Sequence, residues 1–289
     1  MAWGLLGVAA FSFTLPFTRI AVEGPNALDP FVVGCGRAVV ATILATIALA
    51  VCRVRVPTPR QWLRLVPVSL GVVAGFPILT SVAMRETTAG HAAVVIGLLP
   101  AATAVVAVLM TGERPSPRFW FGAALGVFAT VMFTIAAHGS LAGGGISDLY
   151  LVGAVGLGAL GYAQGGRMAR ELGSWQTICW ALVLAAPVMI VASAFALHAH
   201  PPHASAGQWW AFAYLAGISM FLGFFAWYRG LAIGPMSTVS QIQLVQPVLS
   251  VCWAIWLLGE ELTPALALGG IAVLACAAFT VRSRVRSVR

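Results

Sequence analysis

Ten apolar runs, at about residues 2–21, 30–51, 65–84, 91–111, 117–137, 149–168, 175–197, 208–229, 237–257 and 263–281, follow one another with only short connections between them. A run of about 20 apolar residues is the length at which a helix crosses a bilayer. Within lipid every backbone polar group must be bonded inside the chain, which leaves helices or a closed barrel, and runs this long and continuous demand helices. The expected fold class is all-α integral membrane, with ten transmembrane helices. Of the 289 residues 60% are apolar and 8% charged, against roughly 25% charged in a soluble domain, so a water-soluble enzyme is excluded.

The chain carries 16 basic and 8 acidic residues, a formal +8, and every basic residue is Arg. If the N-terminus is cytoplasmic, thirteen Arg fall on the cytoplasmic side, two (Arg19 and Arg85) on the outer side, and Arg37 inside the second run. Such asymmetry follows the positive-inside rule and predicts that both termini are cytoplasmic, in a multi-pass protein of a bacterial-type inner membrane. Topology thus accounts for the charge without an acidic partner. No basic cluster exceeds the tail Arg282, Arg284, Arg286 and Arg289, so nucleic acid is not an expected partner; membrane lipid and a small-molecule substrate are, with a monomer as the simplest state. The first run lacks a basic leader and is long enough to span, so it is expected to remain as the first helix. Trp209 and Trp210 at one end of the eighth run, and Trp227 and Tyr228 at the other, occupy the places of interfacial belts.

Five scattered cysteines form no CxxC and lie singly in or beside apolar runs. His198, His200 and His203 have spacing that could chelate a metal, but Pro201 and Pro202 forbid one helical face, and no metal or cofactor is expected. There is no HExxH, no nucleophile set and no room for a P-loop, so neither membrane catalysis nor ATP-driven transport by this chain alone is expected.

Shifting the sequence by 147 positions lays Pro100 on Pro247, Ala107 on Ala254, Gly112 on Gly259, Glu113 on Glu260, Pro117 on Pro264 and Gly122 on Gly269. Two domains follow, residues 1–140 and 141–289, each a five-helix repeat. An odd number of helices inverts the second repeat relative to the first, which is the architecture of many secondary transporters.

The stretch Phe11-Ser12-Phe13-Thr14-Leu15-Pro16-Phe17-Thr18-Arg19, the run Ala83-Met84-Arg85-Glu86-Thr87-Thr88-Ala89-Gly90-His91-Ala92, and Gln246-Pro247 followed by Leu258-Gly259-Glu260-Glu261 carry a resemblance. Across both halves the chain resembles the EamA-type drug/metabolite transporters and is similar within them to the aromatic amino acid exporters of the YddG type. The resemblance implies ten helices in two inverted repeats and export of small metabolites, amino acids among them. Phe11 and Ser12 stand where Trp-Gly is usual in that family.

Ionisable groups inside a span are costly and therefore candidates for function. Arg37 lies about seven residues, roughly 10 Å, into the second run. Its plain reading is snorkelling outward, or pairing with Glu23 or helix-end carbonyls; its functional reading is an anchor for a substrate carboxylate. His91 opens the fourth run. All eight carboxylates map to run ends or loops, so no buried carboxylate is expected to couple protons, and His91 is the one titrating candidate.

Gln243, Gln246 and Ser250 fall on one face of the ninth run, either as interhelical glue or as a cavity lining. Thr14 and Thr18 share a face of the first run, with Tyr162 and Gln164 in the matching stretch of the sixth and Trp180 as a stacking candidate. Pro16, Pro100 and Pro247 interrupt helices and free carbonyls, as transport sites require. The glycines of the sixth run and Gly71-xxx-Gly75 read as helix contacts.

The function expected is a secondary transporter, not an enzyme, exporting small metabolites, amino acids foremost and aromatic ones among them, by alternating access. Efflux of drugs or organic cations is the alternative. A membrane-embedded structural or lipid-handling protein is the alternative from another class.

Overall fold

The computed structural model describes residues 2–24, 26–111, 117, 120–122, 124–125, 128–129, 145–233, 242–243 and 245–282. Among them every regular element is helical. Among the described residues seven helices are long and apolar enough to cross a membrane: α1 (Ala2–Val22), α2 (Pro30–Val51), α3 (Pro59–Ala83), α4 (Ala89–Ala107), α5 (Ile146–Leu172), α6 (Ser174–Ala199) and α7 (Ala206–Ile233). The shorter apolar α8 (Val245–Leu258) and α9 (Pro264–Arg282) follow. Most of the expected fifth run, the Gly112-Glu113 pair, and Ser237, Thr238, Ser240 and Gln241 lie outside the described residues.

Local chemistry sets the helix starts. Asp29 accepts from the Phe31 amide ahead of α2, with Pro30 in the first turn, where its missing N–H costs nothing. Thr58 and Gln61 form a capping box, so α3 begins at Pro59 rather than near residue 65. Ser205 and Gln208 repeat the device at α7. Between α5 and α6 the chain reverses at Gly173, whose φ of 98° a side chain would strain.

Several spans depart from α geometry. The first breaks at Phe13, between Ala2–Ser12 and Thr14–Val22. Pro16 has no N–H to offer the Ser12 carbonyl, and that carbonyl instead accepts from Ser250 Oγ on α8 at 2.7 Å. α4 is interrupted at Gly97–Leu98, immediately before Pro100, and Pro247 sits in the first turn of α8. Within α3 and α7, Ser69–Gly75 and Leu215–Leu222 are π-helical, at corresponding places under the 147-residue shift.

α6 packs along α2, and α5 lies among α3, α4, α6 and α7, while α8 meets both α1 and α4. On α2 the exposed residues Ile43, Ile47 and Val51 form a stripe of helical spacing for lipid, while Val33, Ala38, Ala41 and Ala45 are fully buried. Small residues set the closest approach: a Cβ on Gly71 would strike the Leu157 carbonyl and lie 2.8 Å from Gly161 Cα on α5. Trp209 and Trp210 are exposed, but Trp227 and Tyr228 are 1% and 0% exposed. The expectation of an interfacial pair at residues 227–228 is corrected, because α7 continues to Ile233 and turns both rings inward.

Gly71→Ala is expected to lower the thermal unfolding midpoint in detergent, since overpacking a closed contact costs about 1–3 kcal/mol. Gly156→Ala, where an added Cβ meets nothing within 4 Å, leaves the midpoint unchanged or raises it.

Candidate functional site

Where α1, α2, α3, α5 and α7 converge, and α8 contributes Gln246, the packing leaves a narrow cavity of about 30 Å³. Phe11, Thr14, Leu15, Arg37, Val72, Phe76, Pro77, Tyr162, Ser219, Met220, Phe224 and Gln246 line it. A second, smaller space of about 10 Å³ is lined by Leu15, Ala93, Ile96, Leu99, Pro100, Gln243, Gln246, Pro247 and Ser250. Leu15 and Gln246 belong to both walls, so the two spaces adjoin.

The larger cavity has a polar and an aromatic side. Phe11, on the first half of α1, packs on Phe224 at 4.9 Å between ring centroids and stacks on Tyr162 at 6.4 Å. Trp227 backs this wall, 5.7 Å from Tyr162. Thr14 and Ser219 share a hydrogen bond of 2.8 Å between hydroxyls, tying the restart of α1 to the π segment of α7. Arg37 lines the same cavity, 1% exposed, with Nε and Nη2 lacking any hydrogen-bond partner. It neither snorkels nor pairs with Glu23, whose carboxylate is taken by Arg19 through Nε at 2.9 Å and Nη2 at 2.6 Å. Among the described residues that line the two spaces, Arg37 alone is charged.

The glutamines behave like Arg37. Gln243, in the turn before α8, leaves both Oε1 and Nε2 unbonded, and Gln246 leaves Oε1 unbonded. Buried amides without partners are costly and uncommon, so a cluster of them around one void marks a surface made for a ligand or water. Thr14, Arg37, Tyr162, Gln243, Gln246, Pro100 and Pro247 thus share the two walls, and Pro16 follows Leu15, which lines both.

Four of the residues singled out from the sequence lie elsewhere. Thr18 Oγ1 donates to the Thr14 carbonyl inside α1. Gln164 Nε2 donates to the Arg64 carbonyl near the Arg64–Glu171 ion pair, at the opposite end of α5 from Asp148. Trp180 packs edge-on against Trp62 at 5.5 Å. His91 Nε2 meets Asp148 Oδ1 at 2.6 Å. Phe11, Phe76, Ser219, Met220 and Phe224 were missing from the sequence reading, because an aromatic or a lone hydroxyl in an apolar run carries no mark of which way it faces.

The His91–Asp148 contact corrects the expectation that no carboxylate is buried. Asp148 is 9% exposed, since the third residue of α5 abuts the first turn of α4. That turn is also held by Glu260, whose Oε1 and Oε2 accept from the Ala89 and Gly90 amides at 2.7 and 2.8 Å, while Thr88 caps it from within. A carboxylate at a helix N-terminus meets both the free amides and the positive end of the dipole. Nearby, Arg19 donates to the Met84 and Thr87 carbonyls, and Gln208 Nε2 donates to the Glu23 carbonyl at 3.0 Å. This end of the bundle is therefore drawn together by bonds between residues far apart in the chain.

Replacing Glu260 by Ala is expected to speed amide exchange at Ala89 and Gly90 roughly fivefold, the equivalent of a cap worth about 1 kcal/mol, with amides in α6 unchanged. Hydrogen–deuterium exchange read by mass spectrometry checks this, and equal rates in both proteins would mean that the carboxylate holds nothing.

Comparison with known proteins fits this architecture. The model of the EamA-like transporter family matches residues 1–135 and again residues 145–282. A protein of Bacillus subtilis (strain 168) named "Uncharacterized transporter YdeK" is 41% identical over 282 residues, covering 96% of each chain. A solved crystal structure at 19% identity superposes with a TM-score of 0.65, over 96% of this chain and 94% of the other, and supports the fold alone. Helices that span a membrane, a polar void among them, and two matches to one family model lead to one statement: the chain belongs to the EamA-like transporter family.

Proposed function

We propose that the protein is a secondary transporter that exports small amphipathic metabolites, amino acids foremost and aromatic ones among them, by alternating access. The observation that carries this reading is the cavity itself, with one unpaired guanidinium, two unsatisfied glutamines nearby and an aromatic wall. A substrate with a polar head and an apolar side chain matches both sides. Two five-helix halves inverted in the membrane are supported by the doubled family match, the paired Pro100 and Pro247, and π segments at corresponding places. Both termini lie in the cytoplasm of an inner-membrane protein on this reading, which rests on the Arg distribution.

Efflux of organic cations fits less well, for such a site wants a carboxylate and none of the described residues lining either space carries one. A purely structural or lipid-handling role gives no reason for buried polar groups left unbonded around a void.

In proteoliposomes, saturable counterflow of labelled L-phenylalanine or L-leucine is expected, and absence of saturable flux with every neutral amino acid would overturn the substrate class. The His91–Asp148 pair lines neither space, and we read it as a latch between elements, not as a site where proton and substrate meet. Flux should then persist when the pH gradient is collapsed with the substrate gradient held, and Asp148→Asn should retain it. Loss of flux in either test would make the pair the coupling site.

A further inference from the structure

We infer that Arg37 is the counter-ion of a substrate carboxylate, so that the substrates are defined by a carboxylate joined to an apolar or aromatic group, and an ammonium group is not required. This inference rests on the reading of the cavity as a substrate site and narrows it.

The geometry of the guanidinium carries the argument. Nε and Nη2, the two nitrogens without partners, lie along one edge of the plane, and that edge presents two parallel N–H groups spaced for the two oxygens of a carboxylate. The chain itself shows what this edge takes: in Arg19 the same two nitrogens hold the two oxygens of Glu23. At Arg37 the edge is empty, the side chain is 1% exposed, and no acidic residue among those described forms an ion pair with it. A buried, unpaired cation is unfavourable unless something else neutralises it. The described residues of the cavity wall supply hydroxyls, an amide oxygen and aromatic rings, and no anion.

A bound carboxylate removes that deficit, whereas an amine lacking one adds a second positive charge to it. The aromatic wall of Phe11, Tyr162 and Phe224 receives the apolar part. Where an α-ammonium is present, the unbonded Oε1 of Gln246 is an acceptor on the same wall, worth less than the charge pair.

The test uses the full chain purified in detergent, with L-phenylalanine, 3-phenylpropanoate and phenethylamine as probes, read by thermal unfolding and equilibrium binding. Both carboxylates should raise the unfolding midpoint and compete with each other, and phenethylamine should do neither. Arg37→Gln should weaken carboxylate binding about tenfold or more, and Arg37→Lys, which keeps the charge without the fork, should fall between. Equal binding of phenethylamine, undiminished binding by Arg37→Gln, or no binding of either carboxylate overturns the inference. If Arg37→Gln does not fold, the three probes on the unaltered protein decide. Carboxylate binding without flux in proteoliposomes would leave the inference standing and defeat the transport reading instead.

Discussion

A polar group inside a bilayer has no water to turn to, and that single constraint orders the rest of this structure. Each proline that removes a backbone donor leaves a carbonyl to be satisfied, and the Ser12 carbonyl shows how: Ser250 on a helix distant in sequence supplies the missing bond. The same rule explains why all three nitrogens of the Arg19 guanidinium are engaged at the bundle end, by a carboxylate and by the Met84 and Thr87 carbonyls. Buried polar atoms without partners occur elsewhere too, at Asp148, Gln164, Gln176, Trp180 and Trp227. Arg37, Gln243 and Gln246 differ from these in lining two adjoining spaces, where a guanidinium edge and amide groups stand together without protein partners.

The two ends of the bundle differ in how they are joined. At one end the first turn of α4 donates two amides to Glu260 and meets Asp148 through the His91 side chain, and Gln208 reaches the end of α1. At the other, the bond from Arg64 to Glu171 is between exposed side chains, which contribute little in solvent. The stronger set is the one with buried or helix-terminal partners.

The seven long spans were legible in the sequence because length and apolarity are local properties. Arg37 was legible as an anomaly, but not its direction. Whether a guanidinium in the second span turns to lipid or inward depends on which face of α2 meets α3, α6 and α7, two of which lie more than a hundred positions away in the chain. Asp148 hid for the opposite reason. Its place at the start of an apolar run reads as an interface, and only the packing of α4 against α5 encloses it. Trp227 and Tyr228 were misplaced because α7 runs past its expected end, and a few residues of helix carry a ring from the rim into the core.

The π segments of α3 and α7 have a geometric consequence for the cavity. A π stretch accommodates one residue more than an α-helix would over the same rise, which amounts to slack wound into the helix. Taking up that slack would swing everything beyond it by about 100° and advance it by about 1.5 Å, the increments of a single α-helical residue. Phe76 follows directly on the first stretch and Phe224 lies just past the second, and both rings face the void. The aromatic wall is thus mounted downstream of two adjustable pitches, so that unwinding or tightening either one would retract a ring while leaving the helix continuous.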